Sequence, residues 1–81
     1  MNANNETFTI WAKLEDVSRN NFLIQPEELN GERIFKILTE HELIGVLHKT
    51  FEETWEAIQG NLTLQDSERL GEEIENYYSK S

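Results

Sequence analysis

The chain has no cysteine and a single proline. Without thiols there can be no disulfide framework and no thiolate metal site. Its four glycines are isolated at positions 31, 45, 60 and 71. A phosphate-cradling loop needs them closely spaced before a helix. Positive charge is also scarce: seven Lys plus Arg face sixteen Asp plus Glu, for a net charge of −9. The bases are scattered, and only Arg33 and Lys36 lie close together. Binding to nucleic-acid phosphates needs clustered bases, so direct nucleic-acid binding is not expected. An anionic membrane surface would repel the chain for the same reason. No run of about 18 apolar residues occurs, so no segment reads as a membrane-spanning helix. The start, Met1 to Glu6, is polar and lacks the basic and apolar stretches of a signal peptide. These absences lead to the expectation of a soluble, cytoplasmic protein. With 81 residues, 37% of them hydrophobic, the chain fits one domain with one small core.

Hydrophobic periodicity then suggests elements. Residues 1–6 read as a disordered N-terminus and residues 7–81 as a single α+β domain. From Thr7 the chain alternates, with Phe8, Ile10, Ala12 and Leu14 on one face and Trp11 on the other, as a half-buried strand requires. Phe22 to Gln25 reads as a second strand, which Pro26 ends or places on an edge. Asn30-Gly31 is a turn dipeptide that favours positive φ. Arg33 to Leu38 is rich in β-branched and aromatic residues and reads as a third strand. Thr39-Glu40-His41-Glu42 matches a capping box, flanked by Leu38 and Leu43 as a hydrophobic staple. A helix is therefore expected from Glu40, carrying Leu43, Ile44, Leu47, Phe51, Thr54, Trp55 and Ile58 on one face and ending at Gly60. Thr63 and Asp66 mark a second N-cap, for a last helix from about Leu64 to Tyr78. The expected fold is thus a three-stranded antiparallel sheet followed by an antiparallel helix pair, β-β-β-α-α. Its core would hold Phe8, Ile10, Leu14, Ile24, Leu47, Phe51, Trp55, Ile58, Leu70 and Ile74.

The sequence offers little for catalysis. Nucleophilic chemistry needs a nucleophile, a base and an orienting group. Cysteine is missing, and no serine sits on a glycine-flanked elbow. No catalytic residue and no cofactor is assigned. His41, His48 and Glu52 would share one stripe of the expected first helix, which raises a metal or ligand binder as one alternative. Ligands seven residues apart are about 10 Å apart along a helix, too far to share an ion unaided, so no metal is assigned. Asn5-Glu6-Thr7 and Asn61-Leu62-Thr63 match the glycosylation sequon, as chance matches would without a secretory signal.

The acidity itself is the main lead. Residues 50–81 hold eight acids and two bases, two thirds of the excess. On the last helix Glu68, Glu72 and Glu75 fall on one stripe. On the expected first helix Glu53 and Glu56, with Glu52 beside them, point away from the apolar side. Like charges one turn apart cost a few tenths of a kcal/mol per pair, so a sequence tuned only for stability would intersperse lysine. A solvated face that merely keeps the chain soluble is the plain explanation. The functional one is a carboxylate surface for a basic protein patch, with Trp11 as an aromatic contact. Tyr77 and Tyr78 read as packing at the helix end.

Residues 22–38 run strand, then Pro26-Glu27-Glu28-Leu29-Asn30-Gly31, then strand. This stretch resembles small swapped-hairpin antitoxins and transition regulators of the AbrB/MazE-like kind. The resemblance covers about a fifth of the chain. It implies an intertwined β dimer that binds DNA and carries an acidic segment occupying a toxin's basic site. The β portion here is not basic, so the second half of that implication agrees better with the charges. The expected function is a small acidic, non-catalytic module that masks or docks on a basic surface of a partner protein, of the inhibitor, antitoxin or nucleic-acid-mimic type. Its expected partner-binding residues are Glu52, Glu53, Glu56, Glu68, Glu72, Glu75 and Trp11. A dimeric antitoxin-like DNA-binding regulator is the other alternative, and a homodimer is left open.

Overall fold

The computed structural model describes residues 6–15, 18, 20–40 and 42–80. They form five strands and one helix: β1 Phe8–Trp11, β2 Asn21–Leu29, β3 Glu32–Thr39, β4 Glu42–Lys49, β5 Trp55–Gly60 and α1 Leu64–Ser79. The strands make one antiparallel meander in the order β1-β2-β3-β4-β5. Between β2 and β3, Asn30 and Gly31 take φ of 53° and 82°. Two successive positive φ values are what a two-residue hairpin turn matched to strand twist needs. Pro26 lies inside β2, paired with Phe35. Because β1 reaches only to Ile24, β2 is an edge on that side from Gln25 onward, a position where proline is tolerated. At the start of α1, Thr63 Oγ1 accepts from Asp66 N at 3.0 Å and caps the helix. Asp66 Oδ1 in turn accepts from Glu15 N at 2.9 Å, tying the helix start to the chain beyond β1.

Alternation decides which side of the sheet α1 covers. Phe8, Ile10, Phe22, Ile24, Phe35, Ile37, Leu47 and Trp55 are buried on one face, beneath Leu70 and Ile74 of the helix. Phe8 stacks on Tyr77 with ring centroids 3.8 Å apart, and Phe35 and Trp55 pack at 5.4 Å. A Cβ built on Gly71 would overlap the Trp55 indole, so the helix approaches β5 at the one position with no side chain. The opposite face carries Trp11, Leu23, Lys36, Leu38, Leu43, Val46 and His48, and no element covers it among the described residues.

The expectation of three strands and two helices is overturned. Residues expected as the first helix form β4, a turn and β5. The supposed capping box closes a hairpin instead: Thr39 pairs with Glu42, and Leu38 with Leu43 across the strands. A one-to-four spacing is shared by a capping box and by the closing positions of a two-residue turn, so the residues satisfied both. The apolar spacing was ambiguous too. Leu47, Phe51 and Trp55 are four apart, a step that keeps to one side in a helix and in a strand alike. Gly45 lies in β4, and Gly60, with φ of 99°, closes β5 rather than a helix. Two expected core residues are outside: Phe51 is fully exposed and Ile58 is 46% exposed. Strand three, the Asn30-Gly31 turn and the last helix are found where expected. The expectation of a disordered 1–6 lies, apart from Glu6, outside the described residues. α1 is not long and apolar enough to cross a membrane. Residues 22–38, which carry the antitoxin resemblance, form a hairpin within one chain.

Candidate functional site

The meander places the β2–β3 turn, the β4–β5 turn and the C-terminal end of α1 at the same end of the molecule. The β4–β5 turn spans Thr50 to Thr54 and is held by its own threonines. Thr50 N donates to Thr54 O at 2.8 Å, and Glu53 N donates to Thr50 O at 2.9 Å. The two hydroxyls meet at 2.8 Å, and Thr54 N reaches Thr50 Oγ1 at 3.3 Å. Glu53 takes a positive φ of 63° to close the loop. This small network fixes the turn without a hydrophobic anchor, so Phe51 is free to project. Its relative exposure of 107% means that nothing in the described structure touches the ring enough to shield it. Leu29, at the edge of the neighbouring turn, is half exposed.

Charge surrounds these apolar groups. Glu52 and Glu53 follow Phe51, and Glu28 and Glu32 flank the other turn. A shallow apolar hollow of about 490 Å³ runs between the turns, from Gly31 and Glu32 past His48 to Phe51. A second groove, of about 540 Å³, continues from Glu32 and Lys49 under the helix end, over Phe35, Trp55, Ile74 and Tyr78. Lys49 bridges the layers: its Nζ is 2.7 Å from Glu75 Oε2 and 3.9 Å from Glu53 Oε1. Glu75 also accepts from Trp55 Nε1 at 3.1 Å. The hydrogen bond with Lys49 holds the Glu75 carboxyl below its ordinary range and the Lys49 ammonium above its own. Burial pushes the Tyr78 hydroxyl upward.

On the uncovered face of the sheet, His48 stands between two carboxylates. Its Nδ1 is 2.7 Å from Glu32 Oε2 on β3, and its Nε2 is 3.4 Å from Glu56 Oε1 on β5. The imidazolium, which donates from both nitrogens, is the form that satisfies both partners. The hydrogen bond to Glu32 is the main reason its pKa is raised above 6.5. Lys36 pairs with Glu27 at 3.2 Å on the same face.

Compared with family models, with curated proteins and with solved structures, the chain has no significant match in any of the three.

The structure does not gather the expected partner-binding residues on one surface. Glu52 and Glu53 lie in the β4–β5 turn, and Glu56 is on β5 beside His48. Glu68, Glu72 and Glu75 are on α1, in the other layer. Their stripe is partly neutralised at home: Arg69 lies 3.2 Å from Glu72 and 2.9 Å from Glu73, and Lys49 holds Glu75. Glu68 is exposed and makes no ion pair among the described residues. Trp11 is 55% exposed on the uncovered sheet face, distant in register from the turn end. His48 and Glu52 share no helical stripe, since no helix exists there, and His41 lies outside the described residues. No cluster of three or more His, Asp or Glu suited to a metal occurs among the described residues. Phe51 and Leu29 are exposed apolar groups that the sequence did not single out. The run Thr50-Phe51-Glu52-Glu53-Thr54 held the signal, because a core phenylalanine is seldom set among so many polar neighbours in a row.

Proposed function

We propose that this chain is a small, non-catalytic binding module that docks on a basic surface of a partner protein through the turn end of its sheet. Phe51 carries the proposal: an aromatic ring wholly in water, on a turn locked by Thr50 and Thr54 and followed by Glu52 and Glu53. An exposed ring adds nothing to folding, yet burying it against a partner is worth about 1.5–3 kcal/mol. A turn already closed by its own hydrogen bonds has less freedom left to lose on binding, so more of that gain becomes affinity. The surrounding carboxylates select a cationic rim and speed encounter. Inhibitors, antitoxins and nucleic-acid mimics are the kinds of protein this reading includes. Of the expected acidic residues, Glu52 and Glu53 belong to this contact and Glu56 borders it. The stripe on α1 contributes less, because Arg69 and Lys49 already face it. The compartment we propose is the cytoplasm, in keeping with the absence of thiols that an oxidising environment would pair.

The test compares the wild-type chain with Phe51→Ala and with the double variant Glu52→Gln, Glu53→Gln. Both changes lie outside the core, so all three proteins should give the same circular dichroism spectrum. Wild type should retain a basic partner at low salt. Phe51→Ala should weaken retention about 10- to 100-fold, as loss of a buried aromatic anchor does. The double variant should weaken it most at low ionic strength. Equal capture by all three proteins, or a captured partner that is itself acidic, would sink the proposal.

A further inference from the structure

The uncovered face of the sheet is unlike the rest of the surface. Four apolar side chains form a row across four adjacent strands. Leu23 pairs with Leu38 and Leu38 with Leu43, while Trp11 pairs with Asn21 and so lies diagonal to Leu23. Diagonal neighbours are about 7–8 Å apart, within reach of an indole. Trp11, Leu23 and Leu43 are each at least 40% exposed. A groove of about 580 Å³, lined in part by Thr9, Leu23, Leu38 and Thr39, opens beside the row. Below it Val46 and Ile34 are already buried on the same face.

The charges of this face are largely compensated within it, three carboxylates meeting two cations. Glu27 meets Lys36, and Glu32 and Glu56 meet His48. On a chain of net charge −9, most surfaces would repel a second copy. Here Lys36 and His48 lie beside an apolar row, so this face repels a like-charged molecule less than one bearing carboxylates alone. Its projected size approaches one partner's share of a standard interface. Five strands about 4.8 Å apart and up to eight or nine residues long span roughly 500–600 Å² in projection, and side-chain relief raises the accessible area. A standard interface buries about 800 Å² on each partner.

We infer that the chain forms a two-fold symmetric homodimer by packing the uncovered sheet faces of two copies together. The product is a sandwich of two five-stranded sheets with the helices outside. Aligned sheets pack about 10 Å apart, close enough for Trp11, Leu23, Leu38 and Leu43 of one copy to interdigitate with those of the other. An isologous contact uses the same patch twice, so one substitution is felt twice. The turn end with Phe51 lies at the rim of this arrangement. The two interfaces also respond oppositely to salt: docking on a cationic partner weakens, while association of two anionic copies strengthens.

Sedimentation equilibrium from about 1 µM to about 500 µM, a range that brackets a typical weak dimer, tests the inference. The wild-type chain should reach twice its 9.5 kDa mass, at lower concentration when salt is added. Leu23→Glu and Leu43→Glu, both at exposed positions, should each stay monomeric across the range, with an unchanged circular dichroism spectrum. Phe51→Ala should dimerise like wild type, which separates this result from the docking proposal. A wild-type chain that remains monomeric throughout overturns the inference. So does a dimer that survives both leucine substitutions, because it would then form through a strand edge or the helix.

Discussion

Single residues mark where the two layers meet and where the sheet stores charge. Gly71 is a point of close approach between α1 and the sheet, with the Trp55 indole where a side chain would go. Gly71→Ala should therefore force the helix away and cost about 1–3 kcal/mol or more, the usual penalty for overpacking. Glu68→Ala, on the exposed side of the same helix, should change stability by less than about 0.5 kcal/mol. Urea midpoints of the two variants check the contrast. His48 makes a pH-dependent contribution whose sign follows from its surroundings. Glu32 on β3 and Glu56 on β5 both favour the imidazolium, and the Glu32 hydrogen bond is the larger cause of a pKa above 6.5. A raised folded-state pKa stabilises fully below the unfolded value and is lost as pH climbs through the folded one. Glu32→Gln should accordingly destabilise the protein near pH 6 and have little effect near pH 9. Equal destabilisation at both pH values would show that the pair does not titrate in this way.

At the scale of elements, the β4–β5 hairpin is the piece that redefines the molecule. A helix through Phe51 would have buried the ring, whereas the hairpin puts it at a tip. Phe51→Ala should change folding stability by less than about 0.5 kcal/mol. Phe35→Ala, which removes a ring packed against Trp55 and Tyr78, should cost about 3–5 kcal/mol. Thermal or chemical denaturation of both variants distinguishes the hairpin from the helix. The other elements show how local chemistry can be decisive. Asn30-Gly31 specifies a turn because both residues tolerate positive φ. Thr63 specifies a helix start because its hydroxyl meets the Asp66 amide. Neither depends on a distant contact, and both were legible in advance. Thr39 to Glu42 carried an equally local signature, yet two local structures share it.

Across the whole molecule, sixteen acids and seven bases are not mixed evenly between the layers. The uncovered sheet face holds Lys36 and His48 among its carboxylates, and Arg69 and Lys49 serve the helix side. The turn end keeps Glu52 and the side chain of Phe51 unshielded. A domain this small buries a modest fraction of its surface, so apolar groups left outside are a real loss to stability. Two such losses stand out, Phe51 at the tip and the row from Trp11 to Leu43 across the sheet. They are the surfaces through which we propose that the module meets its partner and its own copy.

Composition alone determined that the surface is acidic, that no thiol chemistry is available and that clustered phosphate-binding bases are missing. Local pattern determined the presence of the first three strands, the Asn30-Gly31 turn and the capped final helix, because each rests on backbone geometry within a few residues. The extension of β2 through Pro26 to Leu29, where a turn was expected from Glu27, came instead from pairing with β3. Tertiary structure decided the rest. Leu43, Leu47, Phe51 and Trp55 fit a helix and a strand equally well as a list of spacings. The tie is broken by partners outside the segment itself, since β4 pairs with β3 and β5 while Leu47 and Trp55 share the core with Leu70 and Ile74 of α1. Only that assembly turned Phe51 outward and divided the expected acidic face between two layers. Burial is a property of what packs on a residue, and no single segment carries that information.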